Sequence, residues 1–338
     1  MKKVAILLLV SLYGCTSVPK EQIQTFGQSS EAMSLQVDSL LVAVQERSIQ
    51  EKLTATASKT SNPEISKNFA ELSQLIADLS NKNEFAYQQA NLALGAYAKA
   101  LSSLANAGSQ EEIDLAAVGI FNSLNNLNTS LSSLETSLET SSFDKVGIPE
   151  ITKEQASEVS ALAAAATGWY VERKKASAIK EAVITADPAV QLIADELKSK
   201  VVSDVASSTI QRTYKTELEV YIRDYKHFLA GDKPPNLAEK RAEIDKLYQR
   251  YLISESMPLQ VTQATKALSD FKKAHTALRV AAENNDLNSD TFRDELASLK
   301  NRTDHFDNLR VLLMSCEGEV VNDSTLGGLK CQEKSGGK

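Results

Sequence analysis

The residue types that carry most enzymatic and metal chemistry are scarce in this chain of 338 residues: three histidines, His227, His275 and His305, and three cysteines, Cys15, Cys316 and Cys331. No two histidines stand at the spacing that lets a helix present two ligands to one metal, and the paired Glu-x-x-His motifs of carboxylate di-iron bundles are missing. Asp224-x-x-His227 comes near that pattern once and reads as a side-chain pair on an exposed helix face. His275 differs, because it falls between Phe271 and Leu278 in an apolar stripe. Its functional reading is a pH-sensitive core group, and its plain reading is an imidazole at a bundle edge bonded to a neighbouring carboxylate or carbonyl. The 13 glycines form no phosphate-cradling or dinucleotide pattern, and no Gly-x-Ser-x-Gly elbow occurs. The expectation is a non-enzymatic chain with no catalytic residue, no metal site and no cofactor.

Two other groups invite a binding role. The triplet Arg173-Lys174-Lys175, with Lys180 nearby, could touch anionic headgroups or an acidic partner; beside Glu172 and Glu181 it reads as a solvated helix face. Trp169 and Tyr170 could mark a membrane interface, yet their alanine-rich setting points to core packing. Acidic residues outnumber basic ones by 44 to 37, a balance that argues against a nucleic-acid partner.

The elements that must position these groups are helices. Between Ile113 and Leu138 the residues Ile113, Ala117, Ile120, Leu124, Leu127, Leu131, Leu134 and Leu138 follow one another at alternating steps of 4 and 3. A 3.5-residue period lays one narrow face along partner helices. Few charges flank this seam, so it is expected to pack within its own chain. Less regular stripes run through Met33 to Val44, Phe69 to Leu104, Val159 to Val183, Val190 to Val205, Leu218 to Leu229, Ile244 to Tyr251, Val261 to Ala282 and Phe292 to Leu313. In the sixth of the expected helices, Ile244, Leu247, Tyr248 and Tyr251 are expected to point inward.

Start signals punctuate the stripes: Asn62-Pro63 and Asp187-Pro188 as cap plus proline, and Ser109 to Glu112, Thr152 to Gln155 and Asn236 to Glu239 at helix N-termini. Pro258 is expected to bend or break its helix. Alanines 86, 90 and 93 beside Gly95 suit close backbone approach. No useful strand-period segment appears. The fold class expected is all-α, an elongated antiparallel bundle of six to seven long helices with coiled-coil-like seams. An N-terminal segment over 22–142 holds three helices, a C-terminal segment over 152–316 packs on it, and the boundary lies near Gly147 and Pro149.

The N-terminus carries a different message. Lys2 and Lys3 precede an apolar run, Val4 to Leu12, too short to span a bilayer. The sequence Leu12-Tyr13-Gly14-Cys15 that follows resembles the lipobox of bacterial lipoproteins. That resemblance implies a signal peptide over 1–14, diacylglycerol and an N-acyl chain such as palmitate on Cys15, and permanent membrane anchoring. A short tether over 15–21 would join lipid to fold, and Thr16, where an Asp would retain a lipoprotein in the inner membrane, implies the outer membrane. With Cys15 assigned to lipid, Cys316 and Cys331 remain as a pair in an oxidising compartment and are read as a disulfide. The loop of 14 residues between them would contribute roughly 3 kcal/mol in the chain-entropy model, closing a partly disordered tail over 317–338. The function expected is a scaffold, adaptor or recognition module of the cell envelope with a protein partner there. The alternatives are a periplasmic-side protein holding an apolar ligand between helices and a helical membrane-active protein.

Overall fold

The computed structural model describes residues 19–59, 82–138, 157, 171–206, 208–231, 235–315, 319–323 and 328–332. Cys15, the Asn62-Pro63 and Thr152 start signals, Trp169, Tyr170 and Cys316 lie outside the described residues, as do the side chains of Arg173 and Lys174. Helices dominate: α1 Lys20–Lys59, α2 Lys82–Asn106, α3 Gln110–Leu138, α4 Val171–Ala206, α5 Ser208–Leu229, α6 Leu237–Glu283 and α7 Asp290–Ser315. One continuous core draws on α1, α2, α3, α4, α6 and α7, so both expected segments contribute to it.

Close backbone approach organises α1 and α2. Ser34 donates its hydroxyl to the Asn91 carbonyl at 2.9 Å and the Asn91 side chain returns a bond to the Ser34 carbonyl at 2.6 Å. A Cβ placed on Gly27 would lie 2.5 Å from the Ser102 Cβ, and one on Gly95 would lie 2.9 Å from Ser34, so side-chain-free positions let the two backbones meet. Ala86, Ala90 and Ala93 are buried in the same contact. Helix α1 begins at Lys20 and buries Ile23 and Phe26 completely. The tether expected over 15–21 therefore ends earlier than Glu21.

The seam of α3 is buried at every described position from Ile113 to Leu134. Its N-terminus carries the expected capping box: the Glu112 amide donates to Ser109 Oγ at 3.3 Å, and Glu112 Oε2 accepts from the Ser109 amide at 3.1 Å and the Gly108 amide at 2.7 Å. Asn236 and Glu239 form a second box at the start of α6.

Three expectations need correction. Pro188 does not start a helix; it lies inside α4. Pro258 does not divide its helix either, since α6 runs unbroken through it for 47 residues. An interior proline costs about 3 kcal/mol, and here long buried stripes on both helices outweigh it: Ala186, Ala189, Val190 and Ile193 beside Pro188, and Val261, Ala264 and Leu268 after Pro258. Third, the tail contains strands. β1 Glu319–Asp323 pairs antiparallel with β2 Gly328–Gln332, with Val320 opposite Cys331. Five-residue strands are too short to show a period-2 pattern, although Val320 and Val321 are the β-branched type such pairing favours.

The turn from α6 to α7 is tightly specified. Asn285 takes φ 55°, the left-handed conformation that Asn tolerates better than most residues. The Asp286 amide then bonds the Ala281 carbonyl at 2.8 Å and the Asn285 amide bonds the Ala282 carbonyl at 3.1 Å, closing the helix in a Schellman arrangement.

Candidate functional site

The best-equipped polar cluster in the core is built from three helices. Tyr97 of α2, His275 of α6 and Asp187 of α4 form one chain of contacts: His275 Nε2 lies 3.1 Å from the Tyr97 hydroxyl and Nδ1 lies 2.9 Å from Asp187 Oδ1. Tyr97 and His275 are completely buried. Phe26 of α1 and Phe271 of α6 flank the imidazole at 6.2 and 6.3 Å between centroids and stack on each other at 5.8 Å, and Phe292 of α7 packs behind Phe26. Asp187 also accepts from Gln191 Nε2 at 3.1 Å, and its second oxygen lies 3.2 Å from Arg279 Nε.

Electrostatics follow from these partners. Burial works against the Asp187 charge, but the hydrogen bond and charge of His275, then Gln191 and Arg279, outweigh it and hold the carboxyl below its ordinary value. Burial, reinforced by the Asp187 charge, pushes the Tyr97 phenol well above its ordinary value. An imidazole that donates from Nδ1 to Asp187 and meets the Tyr97 hydroxyl at Nε2 gives all three groups a partner; the placing of the hydrogens is inferred from those partners. General acid or base catalysis needs a substrate atom within hydrogen-bond reach. Here both ring nitrogens are engaged, one by buried Tyr97 and one by part-buried Asp187, so the cluster ties α2, α4 and α6 together.

Two lysines tie helix ends in a similar way. Lys175, read from sequence as part of a solvated cluster, is completely buried and donates to the carbonyls of Ala107 at 2.8 Å and Ala105 at 3.4 Å. It neutralises the carbonyl end of α2, where the helix dipole favours a cation. Lys180 donates to Asn285 Oδ1 at 2.9 Å and to the Glu283 carbonyl at 3.4 Å, at the end of α6. The stripe of Lys175, Ala178, Ile179 and Ala182 at helical spacing shows that Lys175 shares the buried face, a signal present in the sequence and masked by its basic neighbours.

Among the described residues, two grooves and one arm stand out on the surface. A groove of about 690 Å³ runs between α4, α6 and the start of α7, floored by Ala194, Leu268, Ala277 and Ala281 and rimmed by Lys198 and Glu295. A second, of about 580 Å³, lies between α2 and α3 over Ala100, Ala116 and Gly119. The arm is the antiparallel pair of α5 and the first half of α6. Here Ile244, Tyr248 and Tyr251 are 49%, 53% and 47% exposed while Leu247 is half-buried, so three of the four residues expected inward face solvent. Hydrophobic periodicity alone cannot say whether a partner helix is present on the face it marks.

His227 is exposed, as expected, and Asp224 beside it lies 3.9 Å from Arg223. Cys331 sits in β2, while the disulfide expected with Cys316 involves a residue outside the described set. Among the described residues no cluster of three His, Cys, Asp or Glu side chains could hold a metal ion, and no helix is long and apolar enough to cross a membrane. No protein-family model, curated protein or solved structure matches the chain.

Proposed function

We propose that this chain is a non-enzymatic lipoprotein of the bacterial cell envelope, held in the outer membrane by acyl chains on Cys15, whose helices form an elongated scaffold or adaptor with coiled-coil-like seams. The observation that supports it most is the junction of anchor and fold. The lipobox-like Leu12 to Cys15 is followed within five residues by α1, whose Ile23 and Phe26 are already in the core. Four intervening residues reach at most about 14 Å, which would hold this end of the helices close to the bilayer. Lys175 on the α2 C-terminus and Lys180 on the α6 C-terminus place those helix ends at the same end as the start of α1. The arm lies toward the other end of α6, whose first 24 residues, from Leu237 up to Val261, span about 36 Å. A surface presented away from a membrane suits recognition, and the Cys316–Cys331 disulfide belongs to this reading as a clasp between α7 and β2.

The test is metabolic labelling with a radioactive or clickable fatty acid, followed by membrane fractionation. The native chain takes up label and sediments with outer membrane, and Cys15→Ser does neither. Label on both forms, or membrane retention of the unlabelled Cys15→Ser chain, refutes the anchor. The groove between α4, α6 and α7 favours a second reading, an amphipathic ligand held on its alanine floor; native mass spectrometry of the purified chain distinguishes it by a retained mass.

A further inference from the structure

The α5–α6 arm is unlike the rest of the surface. Elsewhere large exposed apolar residues, such as Leu35, Leu115 and Val280, are scattered over different helices, as on most soluble proteins. On the arm they line up. Ile222 and Leu229 on α5, and Ile244 and Tyr248 on α6, are 41%, 41%, 49% and 53% exposed. Tyr225 joins the α5 stripe, giving steps of 3 and 4, the spacing of a helix–helix seam. Such residues in a completed seam are covered from a second side; here the second side is open.

We infer that the arm pairs face to face and antiparallel with the arm of a second copy of this chain, completing a four-helix packing around a two-fold axis. Three observations select this occupant. The first is charge. Residues 219–246 hold six basic and six acidic side chains, within a chain of net charge −7. Copies that repel elsewhere meet without repulsion here, whereas a nucleic acid or an anionic bilayer would call for a cationic face. The second is the order of those charges. Exposed Glu219 lies toward the base of α5 and exposed Lys226 toward its tip, with Arg223 and Asp224 between them. Antiparallel overlay brings Glu219 of each copy to Lys226 of the other, and parallel overlay sets like charge on like. The third is composition. Five of the nine tyrosines lie between 214 and 251, and tyrosine is favoured at such contacts.

This pairing does not depend on the lipid anchor, so Cys15→Ser leaves it unchanged and the two readings fail separately. The experiment places a photocrosslinking benzoylphenylalanine at Tyr248 of the full chain, with Leu35 on α1 as the control site, and follows purified protein by sedimentation velocity. The expected result is a product of twice the chain mass from position 248 whose linked peptides both come from the arm, with none from position 35. Ile244→Asp weakens the association at unchanged helical circular dichroism. Glu219→Lys weakens it about tenfold, and adding Lys226→Glu to the same chain restores it, an outcome that only antiparallel copies produce. A monomer at all concentrations, a crosslink from position 248 to lipid or to a different protein, or no restoration by the double charge swap overturns the inference.

Discussion

Replacing His275 with leucine is the sharpest test of the buried cluster, because it removes two hydrogen bonds at once while roughly conserving volume. Tyr97 would keep its hydroxyl in a completely buried position with no partner at 3.1 Å, a loss of about 1–3 kcal/mol. Asp187 would lose the contact at 2.9 Å but retain Gln191 and Arg279, adding about 1.5–3 kcal/mol for a bond to a charged acceptor. The sum is about 2.5–6 kcal/mol. Tyr97→Phe alone removes the hydroxyl together with its need for a partner and costs about 1 kcal/mol. In the double variant the orphaned hydroxyl no longer exists, so its cost falls below the sum of the two single changes by about 1–3 kcal/mol. Urea unfolding at neutral pH, followed by circular dichroism with the slope held as a check, measures all four corners of the cycle. A His275→Leu cost below about 1 kcal/mol, or strict additivity with Tyr97→Phe, refutes the claim that these groups act as one unit.

Other outcomes follow from the same geometry. The Asp187 carboxyl is held below its ordinary value in the folded state, so its contribution is present in full above the ordinary carboxylate value and disappears as pH falls through the folded one. Asp187→Asn should therefore lower stability at neutral pH and flatten the acid limb of a stability–pH curve; a parallel curve contradicts the assignment. Gly27→Ala should destabilise by about 1–3 kcal/mol despite its better helix propensity, because the new Cβ meets Ser102 at 2.5 Å and the Ala98 carbonyl at 2.9 Å. Gly119→Ala, whose Cβ would find Ala100 at 3.8 Å, should stabilise by about 0.5–1 kcal/mol, and thermal melts of the pair compare the two directly. Asn236→Ala breaks the capping box of α6 and should cost about 1 kcal/mol, read as earlier local opening by amide exchange in the first turn.

The helical fold was legible because its signals are local and redundant. The α3 seam announces itself by spacing, and the boxes at Ser109 and Asn236 depend on residues three positions apart. Prolines misled in both directions for one reason: a proline reports a local penalty, while whether the helix continues is decided by the burial of the stripes on either side of Pro188 and Pro258. The polar cluster was half legible. His275 stood out in its stripe, but Asp187 looked like a cap and Tyr97 like one more apolar-stripe aromatic, because their meeting is a contact over 88 and 178 residues that no local pattern encodes. The β1–β2 hairpin escaped notice because its strands are short, and the open face of the arm escaped because period gives a face without its partner.

The burial of Lys175 and of His275, with its part-buried partner Asp187, raises the question of what such groups contribute that apolar ones would not. A core of many alanines and leucines packs nearly as well when one helix slides a turn along another, since neighbouring turns offer similar surfaces. A buried ion pair adds little net stability, because desolvation offsets most of its attraction. Its effect on alternatives is larger. Sliding α4 by one turn, about 5.4 Å, would pull Lys175 from the Ala107 carbonyl and Asp187 from His275 together, leaving buried charges unmatched in the slipped arrangement. Both contacts lie on α4, one to α2 and one to α6, so the helix is pinned against two neighbours at separate heights. Gln36 of α1 donating to the Thr303 carbonyl of α7 at 3.0 Å, and Arg302 of α7 reaching Asp270 of α6 at 3.2 Å, fix the remaining pairs in the same manner. On this argument the polar groups in the core select one register, and the apolar stripes supply the stability of whichever register is selected.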